Sequence, residues 1–145
     1  MKKSSLLIII LGILLVISFT ITVYALLTLN RSGQTANLTG TVTYLQGSAL
    51  PEDAVVTVQI QDVSRADAPA EIIGEQVLNS PGQPPIPFEI PYNPTQIKAS
   101  RRYTVRAEIR DSAGALLFTT DSAIPVLSQG NPTENVEILV VPAGG

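Results

Sequence analysis

The densest group of residues able to do chemistry is Asp62, Ser64, Arg65 and Asp67, at the end of a run that alternates apolar and polar residues. Two carboxylates this close could bind calcium or act as an acid and a base. Their spacing does not match the regular oxygen ligands of an EF-hand loop. Asp and Ser at the end of a strand usually accept main-chain N–H bonds, and an arginine beside them pairs with a carboxylate. We therefore predict a structural role for this cluster, and no catalytic or metal site.

A second group of candidates is the row Arg102, Arg106 and Arg110. Residues four apart on a strand lie on one face, so the row could bind an acidic partner or lipid headgroups. Glu108 shares that face, and arginines beside a carboxylate usually form a solvated, internally paired surface. The row stays a candidate interaction surface, together with Tyr92, the aromatic residue that we expect to be exposed.

Composition limits the remaining chemistry. The 145-residue chain has no cysteine, histidine or tryptophan, which excludes disulfides, thiolate catalysis and a lipid attached to cysteine. Beyond residue 30, seven basic and twelve acidic side chains give a net charge of −5, which does not favour nucleic acid. We predict a protein that is not an enzyme and has no cofactor and no small-molecule substrate. A carboxylate-dependent hydrolase is the least favoured alternative.

Residues 6–29 form an uncharged run that determines on which side of a membrane the candidate residues lie. As a helix it extends about 36 Å, enough to cross a ~30 Å hydrocarbon core. Lys2 and Lys3 precede the run and the single Arg31 follows it, which predicts a cytoplasmic N-terminus and an extracytoplasmic C-terminal part. A cleaved signal peptide ending near 23–25 is the competing interpretation, but its apolar region would be only about 7–15 residues long. We predict an uncleaved, single-pass anchor in the cytoplasmic membrane.

The chain then divides into a stub and anchor at 1–29, a linker at 30–37, a domain at 38–142 and a tail at 143–145. The domain alternates with a period of two and has turns every eight to twelve residues. This pattern predicts an all-β, antiparallel sandwich of about seven or eight strands, of immunoglobulin or prealbumin type.

Individual strands carry more specific signals. Segment 54–63 alternates most regularly and should be central, whereas 86–94 contains prolines and should lie at a sheet edge. Segments 101–110 and 115–120 should form a hairpin, and Gly74 should mark a bulge. Three aromatic residues are in register with the apolar face and are predicted core residues: Phe88, Tyr103 and Phe118.

Three segments resemble the YbaY/YscW-type lipoprotein family, which includes the lipoprotein chaperones, or pilotins, of type III secretion. They are LPEDAVVTVQIQDVSRADAPAEIIGEQ, PGQPPIPFEIPYNPTQI and RRYTVRAEIRDSAGALLFTTDSAIPVL, in the family's order. The resemblance implies a small exported β-sandwich with no known enzymatic activity. Members typically begin with a lipobox cysteine, and a pilotin uses its lipid to travel with its secretin client to the outer membrane. This chain differs in having an apolar span and no cysteine.

We therefore predict a membrane-anchored, non-catalytic module of the bacterial cell envelope that binds proteins or assists their assembly. Its predicted partners are the lipid bilayer, through residues 6–29, and another envelope protein. That protein could add a strand to a free sheet edge. The alternative is a carbohydrate- or cell-wall-binding module, which would require an exposed row of aromatic residues or a concave polar groove.

Overall fold

The computed structural model describes residues 2–29, 33–45 and 48–144, without the side chains of residues 2 and 27–29. Parts of the predicted linker (30–32), of the turn after the first strand (46–47) and of the tail (145) lie outside the described residues. The chain forms two compact units, Met1–Gln34 and Thr35–Gly145.

The first unit is helix α1, Lys2–Leu29. Its residues Lys3–Leu26 have a mean hydropathy of 3.0, which makes the helix long and apolar enough to cross a membrane. A signal sequence near the N-terminus can pass the same test of length and composition. The hydroxyls of Thr20 and Thr22 donate at 2.8 Å to carbonyls of the preceding turn, so these polar groups are satisfied within the helix. The helix therefore suits a lipid environment.

The second unit is built almost entirely of short strands. Nine strands lie within its described residues: β1 Ala36–Thr43, β2 Val55–Asp62, β3 Glu71–Asn79, β4 Ile86–Tyr92, β5 Tyr103–Arg110, β6 Leu116–Thr119, β7 Ile124–Val126, β8 Val136–Leu139 and β9 Val141–Pro142. A 3-10 turn, Pro94–Gln96, follows β4.

The strands form two sheets. The first has the order β4-β1-β8 and the second has the order β3-β2-β5-β6-β9, with β7 also paired to β5. Strands β1 and β8 run parallel, so the prediction of a purely antiparallel sandwich is wrong for this pair. The strand count is also higher than predicted, because the last apolar run divides at Val140. There Val140 donates to the Thr43 carbonyl at 2.9 Å, and the chain passes from β8 in the first sheet to β9 in the second.

The core lies between the two sheets, where the inward residues of each strand meet. Strands β2 and β5 show strict alternation of buried and half-buried residues, and β2 lies between β3 and β5 as predicted. Phe88, Tyr103 and Phe118 are buried, as predicted. Half-buried Tyr44 stacks on Phe118 with a centroid distance of 4.8 Å and an interplanar angle of 7°. The alternation of the sequence therefore predicts the buried faces of these strands correctly.

Three local predictions are confirmed. Strand β4 is an edge strand, and β5 and β6 form an antiparallel hairpin. A bulge interrupts the β2–β3 pairing next to Gly74, where Ile73 is the extra residue. Gly74 is required because a Cβ there would lie 2.8 Å from the Pro91 carbonyl oxygen, so the missing side chain lets β3 lie against β4.

Candidate functional site

The polar cluster at the end of β2 is centred on Asp62, which is only 7% exposed. Its Oδ1 accepts hydrogen bonds from the Ser64 main chain at 2.9 Å and from Ser64 Oγ at 2.5 Å. Its Oδ2 accepts a hydrogen bond from the Arg101 guanidinium at 2.7 Å. Ser64 Oγ in turn accepts the main-chain N–H of Arg102 at 2.9 Å. Both predicted acceptors are therefore present, and together they tie the end of β2 to the start of β5.

The prediction that Arg65 pairs with a carboxylate of this cluster is wrong. The ion pair at Asp62 is made by Arg101, whereas Arg65 and Asp67 are exposed in the following loop. Arg101 reaches Asp62 because β2 and β5 are neighbours, with Asp62 opposite Tyr103 in the ladder. Sequence reasoning missed Arg101 because the pair is separated by 39 positions along the chain.

The electrostatics of Asp62 indicate a fixed carboxylate. Burial raises the pKa of the Asp62 carboxyl, but hydrogen bonds from Ser64 and Arg101, with the Arg101 charge, lower it more. The pKa therefore lies below the ordinary value of 3.8. Such a group is ionised at neutral pH and both of its oxygens are occupied, which does not suit proton transfer near pH 7. Within the described ranges, no group of three or more acidic side chains could hold a metal ion.

The predicted arginine row divides into two parts. Arg106 and Arg110 lie on the outer face of β5 on either side of Glu108, which accepts from both, at 2.7 Å and 2.9 Å. Arg110 also donates to the Gly114 carbonyl at 3.0 Å. Arg102 is exposed and precedes β5. Because Glu108 pairs with two of the three arginines, the row has little free positive charge, and binding of an acidic partner there stays a prediction.

The expectation that Tyr92 is exposed is wrong. Tyr92 is half-buried and packs against the core. Within the described part of the β unit, every aromatic side chain is buried or half-buried: Tyr44, Phe88, Tyr92, Tyr103 and Phe118. An exposed aromatic row, one of the two features that could serve the carbohydrate-binding alternative, is therefore not found among these residues, and that alternative stays a prediction.

The edge of β4 cannot donate main-chain hydrogen bonds to a partner strand. Pro87 and Pro91 have no N–H, and the intervening N–H of Glu89 donates to Gln76 Oε1 of β3 at 2.7 Å. The sequence predicts the two prolines as a partial block. The sequence gives no signal that Gln76, in the second sheet, accepts the remaining outward N–H of β4.

An apolar cleft lies where the chain crosses from β8 to β9. It has a volume of about 200 Å³ and is lined by Leu45, Leu139, Val140, Val141 and Pro142. Leu45 is 84% exposed and Leu139 is 39% exposed. The alternation of the last apolar run puts Leu139 on the face away from buried Val136 and Ile138, and an apolar residue on that outer face is the sequence signal for this cleft. We call this feature the corner cleft.

Comparison with known proteins identifies the family. The family model for the type III secretion system lipoprotein chaperone (YscW) matches residues 33–138. The chain belongs to the YscW family. The match begins before β1 and includes most of β8, so it covers both sheets.

Two relatives agree with this assignment. The chain is 35% identical over 109 residues to the uncharacterized lipoprotein YbaY of Escherichia coli K12, in an alignment covering 74% of this chain and 57% of that protein. A solved structure of an alternative pilotin from the type II secretion system of Vibrio cholerae superposes with a TM-score of 0.72 and 38% identity. That superposition covers 77% of this chain and all of the pilotin chain. The resemblance read from the three sequence segments is therefore confirmed, and with it a pilotin-like β fold. The immunoglobulin or prealbumin classification stays a prediction.

Proposed function

We propose that this chain is a membrane-anchored, extracytoplasmic module that binds another protein of the cell envelope and assists its assembly into a secretion system, without catalysing a reaction. The observation that carries this proposal is the YscW family match over residues 33–138. The pilotin likeness supports it, since that protein belongs to a type II secretion system and shares the fold at 38% identity. The chain spans 57% of the length of YbaY, so a role for the whole relative is not transferred.

The side-chain contacts support binding rather than catalysis. Asp62 and Glu108 use both carboxylate oxygens in bonds to neighbouring residues. The corner cleft, in contrast, presents apolar side chains to solvent at Leu45 and Leu139. Exposed apolar side chains gathered into one patch are a mark of protein-binding surfaces. We propose that this cleft receives an apolar segment of a secretin, the client class of pilotins.

We further propose that α1 is an uncleaved anchor in the cytoplasmic membrane, with its N-terminus inside and the β unit outside. Support comes from the apolar span Lys3–Leu26 and from the basic residues before it. An anchor of this kind would hold the module at the cytoplasmic membrane. The intact mass of the protein extracted from membranes tests the anchor, because cleavage after Ala25 would remove nearly all of the span. Recovery of only the shortened form would overturn it.

Binding is tested by co-expressing the tagged full chain with the secretin of the same organism and purifying from membranes in detergent. We expect the secretin to co-purify with the native chain and to be lost with Leu139→Asp, because a carboxylate in the cleft opposes apolar contact. Ile72→Asp is the matched control, since Ile72 is an exposed apolar residue of β3 that does not line the cleft. Failure of the native chain to retain the secretin, or equal loss with both variants, would overturn the proposal.

A further inference from the structure

The free edge of β3 differs from the closed edge of β4. Strand β3 has nine residues and pairs only with β2. Ser80 donates to the Ala54 carbonyl at 2.9 Å, so these two residues form a hydrogen-bonded pair next to the β2–β3 ladder. Hydrogen-bonded and non-hydrogen-bonded pairs then alternate along the two antiparallel strands. It follows that Glu75, Val77 and Asn79 turn their main-chain N–H and C=O groups away from β2. Three successive outward positions therefore offer both donors and acceptors.

Few of the usual devices protect this part of the edge: Glu75 carries a charge, and the bulge at Ile73 lies just beyond it. Residues 75–79 contain no proline and no lysine, and Val77 is 48% exposed. Natural proteins normally block a long edge with such residues, because unpaired main-chain groups recruit another strand. The β4 edge of the same protein is blocked by two prolines and by the Gln76 side chain. The contrast marks the edge of β3 as a pairing surface.

We propose that β3 pairs antiparallel with β3 of a second copy of this chain, about a two-fold axis at Val77. Each Val77 exchanges two main-chain hydrogen bonds with Val77 of the other copy. Each Glu75 lies opposite Asn79 of the other copy and exchanges two more, so the interface is self-complementary, as a two-fold contact requires. On the outer face, valine meets valine and a carboxylate meets an amide, so no like charges are opposed.

The sequence around Val77 selects this register. An axis at Glu75 would place the two carboxylates directly opposite each other, which is unfavourable. An axis at Asn79 would place Val77 opposite Pro81, which has no N–H to donate. With the axis at Val77, the ladder ends where Ile73 meets Pro81. The predicted interface is therefore limited to residues 75–79 of each copy.

Cysteine cross-linking of the full chain in its membrane tests both the pairing and its register, because the native chain contains no cysteine. In hydrogen-bonded antiparallel pairs the Cα atoms are about 5.5 Å apart, which allows a disulfide. We expect Val77→Cys to cross-link on oxidation. We expect co-expressed Glu75→Cys and Asn79→Cys chains to cross-link with each other, and neither alone, because identical positions would be about 14 Å apart.

The control is Ala113→Cys, in the exposed turn between β5 and β6. Cross-linking of Val77→Cys no greater than that of Ala113→Cys would overturn the proposal. So would equal cross-linking of the mixed chains and of either single variant, since the register would then be wrong.

A second pair of variants separates edge pairing from folding. In Val77→Pro the lost N–H is one that β2 does not use, and proline is tolerated at an edge in this orientation. We expect light scattering of the detergent-solubilised full chain to give a dimer for the native protein and for Val77→Ala, and a monomer for Val77→Pro. A dimer retained by folded Val77→Pro would overturn the proposal. Val77 does not line the corner cleft, so Val77→Pro should abolish the dimer without affecting secretin binding. The failure of one proposal can therefore be told from the failure of the other.

Discussion

Gln76 Oε1 of β3 accepts the main-chain N–H of Glu89 in β4 at 2.7 Å, and this bond joins the edge strands of the two sheets. Glu89 is further held by Asn37 of β1, whose side-chain amide donates to its carboxylate. On the other side of the sandwich the chain itself crosses between sheets at Val140. The Gln76 side chain therefore links the edge strands β3 and β4 directly, in addition to the loop 80–85 that connects them along the chain.

Gln76→Leu tests the contribution of this bond. The change keeps the approximate size of the side chain but leaves the Glu89 N–H without its acceptor. We expect the free energy of unfolding to fall by about 1 kcal/mol. Denaturant unfolding of the full chain in detergent measures it, with exposed Gln96→Leu as the control. Equal effects of the two substitutions would contradict the assignment.

The periodic pattern of a strand shows which residues face inward, but it does not show which strands are neighbours. It predicts the buried faces of β2 and β5 and the edge position of β4. Pro91 and Asn93 beside Tyr92 suggest an exposed turn, whereas the alternation places Tyr92 in register with the buried residues Phe88 and Ile90; the alternation is the better guide here.

Contacts between distant parts of the chain were the features that the sequence could not supply. The parallel pairing of β1 with β8, the Asp62–Arg101 ion pair and the Gln76–Glu89 bond all depend on the order of strands in the sheets. The corner cleft depends on the same order, since it forms where the chain changes sheet. Family resemblance supplied the fold, but not these contacts.

Asp62→Ala should be far more costly than Asp67→Ala, although both residues belong to the same sequence cluster. Asp62 accepts charged and main-chain hydrogen bonds from two elements, so its loss should lower the free energy of unfolding by about 1.5–3 kcal/mol. Asp67 is exposed, and its loss should change stability by less than about 0.5 kcal/mol. Denaturant unfolding of both variants measures the difference. Similar losses would contradict a structural role confined to Asp62.

The lowered pKa of Asp62 predicts a specific dependence of stability on pH. Its carboxyl has a lower pKa when folded than the ordinary value of 3.8, so the folded state binds fewer protons there than the unfolded state. The stabilisation is therefore complete above the ordinary value and is lost as the pH falls through the folded value. Thermal unfolding between neutral and strongly acidic pH should show a smaller acid loss for Asp62→Asn than for the native chain. An unchanged pH profile would show that Asp62 does not contribute.

Glu108→Gln should show whether the arginine row is internally paired. Removing the carboxylate leaves Arg106 and Arg110 without their shared partner, so stability should fall at low salt. The loss should be at most about 1 kcal/mol, because these side chains are partly exposed. Denaturant unfolding in low and high sodium chloride should show the difference from the native chain shrinking with salt. A loss independent of salt would indicate packing rather than charge.

Gly40→Ala tests the close approach of three strands in the first sheet. Gly40 of β1 lies opposite Phe88 of β4 on one side and Val136 of β8 on the other. A Cβ there would overlap the Val136 carbonyl oxygen and lie 2.7 Å from Phe88 Cζ. Relief requires movement of β8 main chain, so we expect a loss of at least about 1–3 kcal/mol, the range for overpacked cores.

The matched control is Thr41→Ala at the next position of β1, which is half-buried and should be much better tolerated. Denaturant unfolding of the full chain in detergent compares the two variants. Because β8 also carries Leu139, displacement of β8 in Gly40→Ala should reduce secretin retention beyond what the stability loss alone explains. A native level of retention in the folded Gly40→Ala protein would show that the corner cleft does not depend on the position of β8.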